Sequence, residues 1–116
     1  MQRRVVLAPD VLVCALYDPR AREILNQWRD ALILPIVTRE LLLLYVRTLN
    51  QSGLPHELIR KWSLWLTTPG KSLYLENARP LQKTGLELCD AIAAQNQSTV
   101  LTLSHRGTAA EFPKNG

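Results

Sequence analysis

Long apolar runs are missing from this chain of 116 residues. The densest one, Leu41 to Val46, lies between two charged residues and is far shorter than the roughly 20 residues of a membrane-spanning helix. The N-terminus also lacks the extended hydrophobic segment that is typical of a secretion signal. We therefore expect a cytoplasmic protein that does not enter a membrane.

Cysteine is scarce as well, with only Cys14 and Cys89 in the chain. Both have apolar neighbours, which favours two buried thiols over a disulfide or a metal-binding pair. Hydrophobic residues make up 47% of the sequence and charged residues 21%, a composition that excludes a disordered chain. The length suits one domain with one core, so we predict a single domain over residues 1–108 and a frayed tail over residues 109–116.

Acidic residues are fewer than basic ones, 10 against 14, which gives a formal net charge of +4. This balance permits binding to nucleic acid or to an acidic protein but requires neither. The basic residues are scattered along the chain, so the sequence alone does not place them on one face.

Short apolar runs that are typical of strands alternate with amphipathic segments that are typical of helices. The predicted strands cover residues 4–7, 32–37, 72–75 and 99–103, and the predicted helices cover residues 11–16, 19–29, 39–50, 55–68 and 84–96. Asp18 and Thr38 are predicted helix N-caps, and Thr84 with Glu87 has the spacing of a capping box. Because proline cannot donate to a ladder, Pro35 predicts an edge position or a kink for the second strand.

This order of elements predicts an α/β fold, a three-layer α/β/α sandwich with a short, mainly parallel sheet of four to five strands. Binding sites in such sheets form at the carboxyl ends of the strands. The residues to inspect are therefore those that follow Leu7, Val37, Leu75 and Leu103.

The segment from Val5 to Val13 resembles the opening of PIN domains, the fold of small metal-dependent ribonucleases. In that family the first strand ends in an Asp-Thr-Asn or similar triplet, and Ala8 stands where the first acid would be. The segment from Val37 to Leu49 is similar to the second block of the family, with Leu44 at the position of the second metal-site acid.

The later part of the chain continues this resemblance in the same order. Residues 89–94 are similar to the third block, in which an acid opens a helix of small residues, and Asp90 matches that acid. Residues 100–105 are similar to the last block, with Ser104 or His105 at its acid. The resemblance thus spans nearly the whole chain in short blocks.

The resemblance implies three or four carboxylates around Mg²⁺ or Mn²⁺, which would activate water and stabilise phosphate charge during RNA hydrolysis. Three of the expected acids are lost, at Ala8, Leu44 and Ser104. Asp90 remains, Asp10 lies close to the first lost position, and Glu40 is a weaker third candidate. Asp10 and Asp90 would be the ligands of any metal, although we expect none to be bound.

Each candidate residue also has an ordinary structural interpretation. Asp10 can cap the first short helix, Glu40 is a favourable charge in a first helical turn, and Asp90 can be a solvated surface acid. His105 can be a polar loop residue, and Leu44 can belong to a helix that is buried on most sides. The three tryptophans lie on apolar stripes and are predicted core or interface residues.

Three functional hypotheses follow. The first is a PIN-fold protein resembling the ribonuclease toxin of toxin–antitoxin pairs, with an impaired or inactive site. The second is an active Mg²⁺- or Mn²⁺-dependent ribonuclease with a shifted site made of Asp10, Asp90 and Glu40. The third is a non-catalytic protein- or RNA-interaction module, in which the apolar faces around Leu43, Leu44, Trp62 and Trp65 would contact a protein partner or a second copy. The expected partners are an antitoxin-like protein, RNA, or a second copy in a homodimer.

Overall fold

A computed structural model describes residues 2–103 and contains alternating strands and helices. Their order along the chain is β1 (Arg3–Leu7), α1 (Pro9–Val13), α2 (Pro19–Arg29), β2 (Ile33–Thr38), α3 (Arg39–Ser52), α4 (His56–Thr67), β3 (Leu73–Leu75), α5 (Gly85–Gln95) and β4 (Thr99–Leu101). The proposed tail over residues 109–116 and the end of the proposed domain, residues 104–108, lie outside the described residues.

The four strands form one sheet in the order β3-β2-β1-β4, and every pair is parallel. Arg3 is in register with Ile33 on one side of β1, and Val5 is in register with Thr99 on the other. This arrangement confirms the predicted α/β fold and is compatible with a three-layer sandwich. Because the strands are parallel, their carboxyl ends all lie at one edge.

The prediction of an edge position for Pro35 is wrong. The strand that contains it, β2, lies between β1 and β3. Pro35 is paired with Val5 of β1, whereas pairing with the short strand β3 begins only at Ile36. Pro35 therefore lies in the half of β2 that is paired on one side, where an internal strand tolerates a missing N–H more easily.

Two of the predicted helix caps are confirmed and two are corrected. Asp18 accepts a hydrogen bond from the N–H of Arg20 at 2.9 Å, and Thr38 accepts one from the N–H of Leu41 at 3.1 Å. Asp10 is not an N-cap, because α1 begins at Pro9, which suits a first helical position. Thr84 is at the N-cap of α5 but makes no side-chain capping bond.

Helices α2, α3, α4 and α5 contact the strands of the sheet, and their apolar stripes contribute to the core around the central strand. In β1 the side chains from Val5 to Leu7 are completely buried. On α3 the deepest residues are Leu41, Tyr45 and Leu49. Leu42 and Val46 on the same helix are half-buried.

The tryptophans belong to the core, as predicted. Trp28 and Trp62 are buried, and the half-buried ring of Trp65 meets Trp28 edge-on with centroids 5.0 Å apart. The indole N–H of Trp28 donates to the carbonyl of Lys71 at 3.0 Å. The ammonium group of Lys71 lies 4.4 Å from the Trp65 ring centroid and that of Lys61 lies 5.0 Å from it.

Both cysteines are free, which confirms the prediction of two thiols, although only Cys89 is fully buried and Cys14 is half-buried. None of the helices within residues 2–103 is long and apolar enough to cross a membrane.

The hydroxyl of Tyr45 connects α3 to the end of the central strand. It donates a hydrogen bond to the carbonyl oxygen of Leu7, and the Tyr45 ring is completely buried. Burial raises the pKa of the Tyr45 phenol well above its ordinary value, and the neighbouring Cys89 adds to the shift. A neutral hydroxyl is therefore fixed where β1 ends.

We predict that Tyr45→Phe lowers the free energy of unfolding by about 1–3 kcal/mol, because the buried carbonyl of Leu7 loses a donor. Urea denaturation followed by circular dichroism measures the change. Tyr17→Phe is the matched control, since the Tyr17 side chain is 74% exposed and its variant should unfold like the wild type. Equal stabilities for the two variants would contradict the prediction.

The raised pKa of Tyr45 also predicts a loss of stability in alkali. Above pH about 10 an unfolded tyrosine ionises while the folded one stays protonated, so stability falls as the pH rises further. The free energy of unfolding, compared at pH 8 and at alkaline pH, should fall less in Tyr45→Phe than in the wild type.

Candidate functional site

The carboxyl edge of the sheet is the candidate functional site, because the chain segments that follow parallel strands meet there. Ala8 and Asp10 follow β1, Arg39 and Glu40 follow β2, and Thr102 follows β4. Two of the acids named from the sequence, Asp10 and Glu40, are thus at this edge.

The carboxylate of Asp10 joins the start of α1 to the segment after β4. Its Oδ2 atom accepts a hydrogen bond from the Thr102 hydroxyl at 2.6 Å and one from the N–H of Leu103 at 3.3 Å. Thr102 is completely buried, and a buried hydroxyl needs such a partner. Asp10 therefore holds two neighbouring strand ends together, a contact that the sequence did not reveal because 92 residues separate Asp10 and Thr102.

The carboxylate of Glu40 binds the segment that leads into α5. Its Oε1 atom accepts the N–H of Leu81 at 2.7 Å, and its Oε2 atom accepts the N–H of Gln82 at 2.8 Å. The predicted first-turn position of Glu40 is confirmed, but the residues that it binds were not foreseen. Gln82 has a positive backbone φ of 57°. Because non-glycine residues rarely adopt this conformation, a glutamine in the sequence does not predict it.

Two of the three positions proposed for lost acids, Ala8 and Leu44, lie in apolar surroundings. Ala8 is completely buried, and its N–H donates to the carbonyl of Leu101 at 3.0 Å. Leu44 is half-buried and packs against the core, which agrees with a helix that is buried on more than one side. The third position, Ser104, and His105 beside it lie outside the described residues.

Asp90 is exposed in the middle of α5, which agrees with its interpretation as a surface acid. Within residues 2–103, no group of three or more His, Cys, Asp or Glu side chains could hold a metal ion. The described residues therefore do not fit the cluster of carboxylates that PIN-type chemistry requires for Mg²⁺ or Mn²⁺.

Cys14 offers no activated nucleophile near Asp10. Burial raises the pKa of the Cys14 thiol, and the negative charges of Asp10 and Asp18 raise it further, against a smaller opposite effect of Arg20. A reactive cysteine needs the reverse shift, because the thiolate is the nucleophile. Cys14 therefore stays protonated at neutral pH.

A groove of about 420 Å³ runs beside Glu40, between the first turn of α3 and the segment after β3. Its lining includes Leu43, whose side chain is 56% exposed, and two arginines. The groove is lined by Thr38, Arg39, Glu40, Leu43, Glu76, Ala78, Arg79 and Pro80.

In comparisons with known proteins, the chain matches no family model, no curated protein and no solved structure. At the carboxyl edge, Asp10 and Glu40 both accept hydrogen bonds from the chain itself, and Ala8 is completely buried.

We predict that introducing a carboxylate at position 8 is costly. Ala8→Asp places a charge where the side chain is 0% exposed, which should lower the free energy of unfolding by about 2 kcal/mol or more. Urea denaturation measures the loss. Ala78→Asp is the control, because Ala78 is exposed and its variant should keep nearly the wild-type stability.

The stability of Ala8→Asp, measured with and without Mn²⁺, shows whether a carboxylate at position 8 can bind a metal ion. If Ala8→Asp recreates a site, millimolar Mn²⁺ should recover part of the lost stability by binding the folded state. We expect no recovery, since one added carboxylate does not complete the site. Recovery in Ala8→Asp but not in Ala78→Asp would contradict this expectation.

Proposed function

We propose that this chain is a PIN-fold protein resembling the ribonuclease toxin of toxin–antitoxin pairs, with a catalytically impaired or inactive site. The observation that carries the proposal is the use of Glu40: both of its carboxylate oxygens accept backbone N–H groups. Asp10, the other acid at the carboxyl edge, accepts bonds from Thr102 and Leu103.

The electrostatics of the site support this proposal. Metal-dependent hydrolysis of RNA needs several carboxylates whose mutual repulsion the metal offsets. Here Ala8 and Leu44 bring no charge, and a metal ion at Glu40 would compete with two short hydrogen bonds. This arrangement favours carboxylates that stabilise the carboxyl edge of the sheet over carboxylates that bind Mg²⁺.

The hypothesis of a shifted active site has weaker support. It requires Asp10, Asp90 and Glu40 to converge on one ion, but Glu40 is directed to residues 81 and 82, and Asp90 is exposed on α5. The pattern of contacts thus favours three separate roles for these acids.

For the hypothesis of an interaction module, the exposed apolar surface of α3 and α4 is smaller than the sequence indicated. Trp62 belongs to the core, and Leu44 and Trp65 pack against it. Leu43 of α3 and Leu64 of α4 stay exposed, at 56% and 63%. A non-cutting PIN-fold protein in the cytoplasm would act through binding, with an antitoxin-like protein, RNA or a second copy as the partner.

We predict that the pure protein does not cleave RNA in the presence of Mn²⁺. The test incubates a labelled single-stranded RNA with the wild type and with Asp90→Asn, and it resolves the products by electrophoresis. Glu87→Gln is the control, because it removes another exposed acid from the same helix. Cleavage that persists in Glu87→Gln and disappears in Asp90→Asn would overturn the proposal in favour of the shifted site.

We also predict that Mg²⁺ or Mn²⁺ at about 1 mM leaves the melting temperature unchanged. A site with a dissociation constant of about 10 μM would add about 2.7 kcal/mol of stability at this concentration, which thermal denaturation detects easily. A rise in melting temperature with Mn²⁺ that is lost in Asp10→Asn would show a working metal site.

A further inference from the structure

The segment over residues 76–84 connects β3 to α5 without regular secondary structure. Within it, Leu81 is half-buried and the other side chains are exposed. The elements at its two ends are firmer, since α5 buries Leu88 and Cys89 in the core. We call residues 76–84 the strap.

The strap is attached to the rest of the protein through few contacts. Within residues 2–103, its long-range hydrogen bonds are those from the N–H groups of Leu81 and Gln82 to Glu40. The Leu81 side chain adds an apolar contact with the core. The other bonds of the strap are local, such as the one from the Ala78 N–H to the Leu75 carbonyl.

Glu40, by contrast, stands on a rigid support. It follows Thr38, which caps α3, and it precedes Leu41, which is completely buried. Hydrogen bonds to a carboxylate are stronger than those to a neutral acceptor, so one side chain supplies most of the polar attachment of the strap. Segments with few buried contacts open locally at a lower free energy than the whole protein.

The strap also forms one wall of the groove beside α3. Glu76, Ala78, Arg79 and Pro80 come from the strap, and Thr38, Arg39, Glu40 and Leu43 come from the opposite wall. A movement of the strap away from Glu40 therefore widens the groove and uncovers the carboxyl end of β2.

We propose that Glu40 is a latch that holds the strap across the start of α3, and that the strap opens as a local unit when this latch is released. The opening gives access to the carboxyl edge of the sheet without unfolding the core. This conformational device is independent of whether the edge retains any nuclease chemistry.

Hydrogen exchange tests the latch directly. In Glu40→Ala, the amides of Leu81 and Gln82 should exchange at least about tenfold faster than in the wild type, the effect of losing a hydrogen-bonded attachment of roughly 1.4 kcal/mol. The amides of Val6 and Ile36, which belong to buried sheet positions, should keep their protection. Exchange is measured residue by residue by NMR.

Limited proteolysis provides a second measurement on the same variant. Lys83 is an exposed trypsin site in the strap, whereas Arg79 is followed by Pro80 and resists the enzyme. Cleavage after Lys83 should be faster in Glu40→Ala and intermediate in Glu40→Gln, whose amide keeps one acceptor oxygen. The control is Glu57→Ala, which removes an acid from the first turn of α4 and should behave like the wild type.

Two results would overturn the proposal. Unchanged exchange at Leu81 and Gln82 in Glu40→Ala would show that the carboxylate is not a latch. Equal losses of protection in the strap and in the sheet would show that no local opening exists. If Glu40→Ala does not fold, exchange in the wild type at low denaturant decides: amides of the strap must open at a lower free energy than those of β1 and β2, and equal values refute the local unit.

Discussion

The buried hydroxyl of Tyr45 and the carbonyl of Leu7 form the contact on which the geometry of the carboxyl edge depends. The central strand β1 is buried on both faces and paired on both sides, so its end can accept only a partner that satisfies its polar groups. A tyrosine on α3 meets this requirement and thereby fixes the helix against the sheet. The first turn of α3, with Thr38 and Glu40, is consequently fixed as well.

The two carboxylates at the carboxyl edge, those of Asp10 and Glu40, have structural roles. Glu40 holds the backbone of the strap, and Asp10 holds the segment after β4 through Thr102. Each carboxylate accepts hydrogen bonds from a segment that is distant in the sequence. Acids that are tied into the frame in this way stabilise the edge, and this is the physical basis for proposing an impaired site in a PIN-like fold.

The sequence predicted those features that depend on neighbouring residues. The caps at Asp18 and Thr38 followed from the residue type at a helix start, and the alternation of strands with helices gave the α/β fold. The errors have local causes too. Pro9 allows α1 to start two residues early, which removes Asp10 from the cap position, and a half-paired segment of β2 accommodates Pro35.

The sequence by itself determined the class of fold, because periodicity and caps are local properties. Only the tertiary structure decided what Asp10 and Glu40 do. The donors of Glu40 lie 41 and 42 residues further along the chain, and the hydroxyl bound by Asp10 lies 92 residues away. A carboxylate gives no sign in sequence of whether its partner is a metal or an N–H group, since that choice depends on which distant backbone the fold brings within hydrogen-bonding distance.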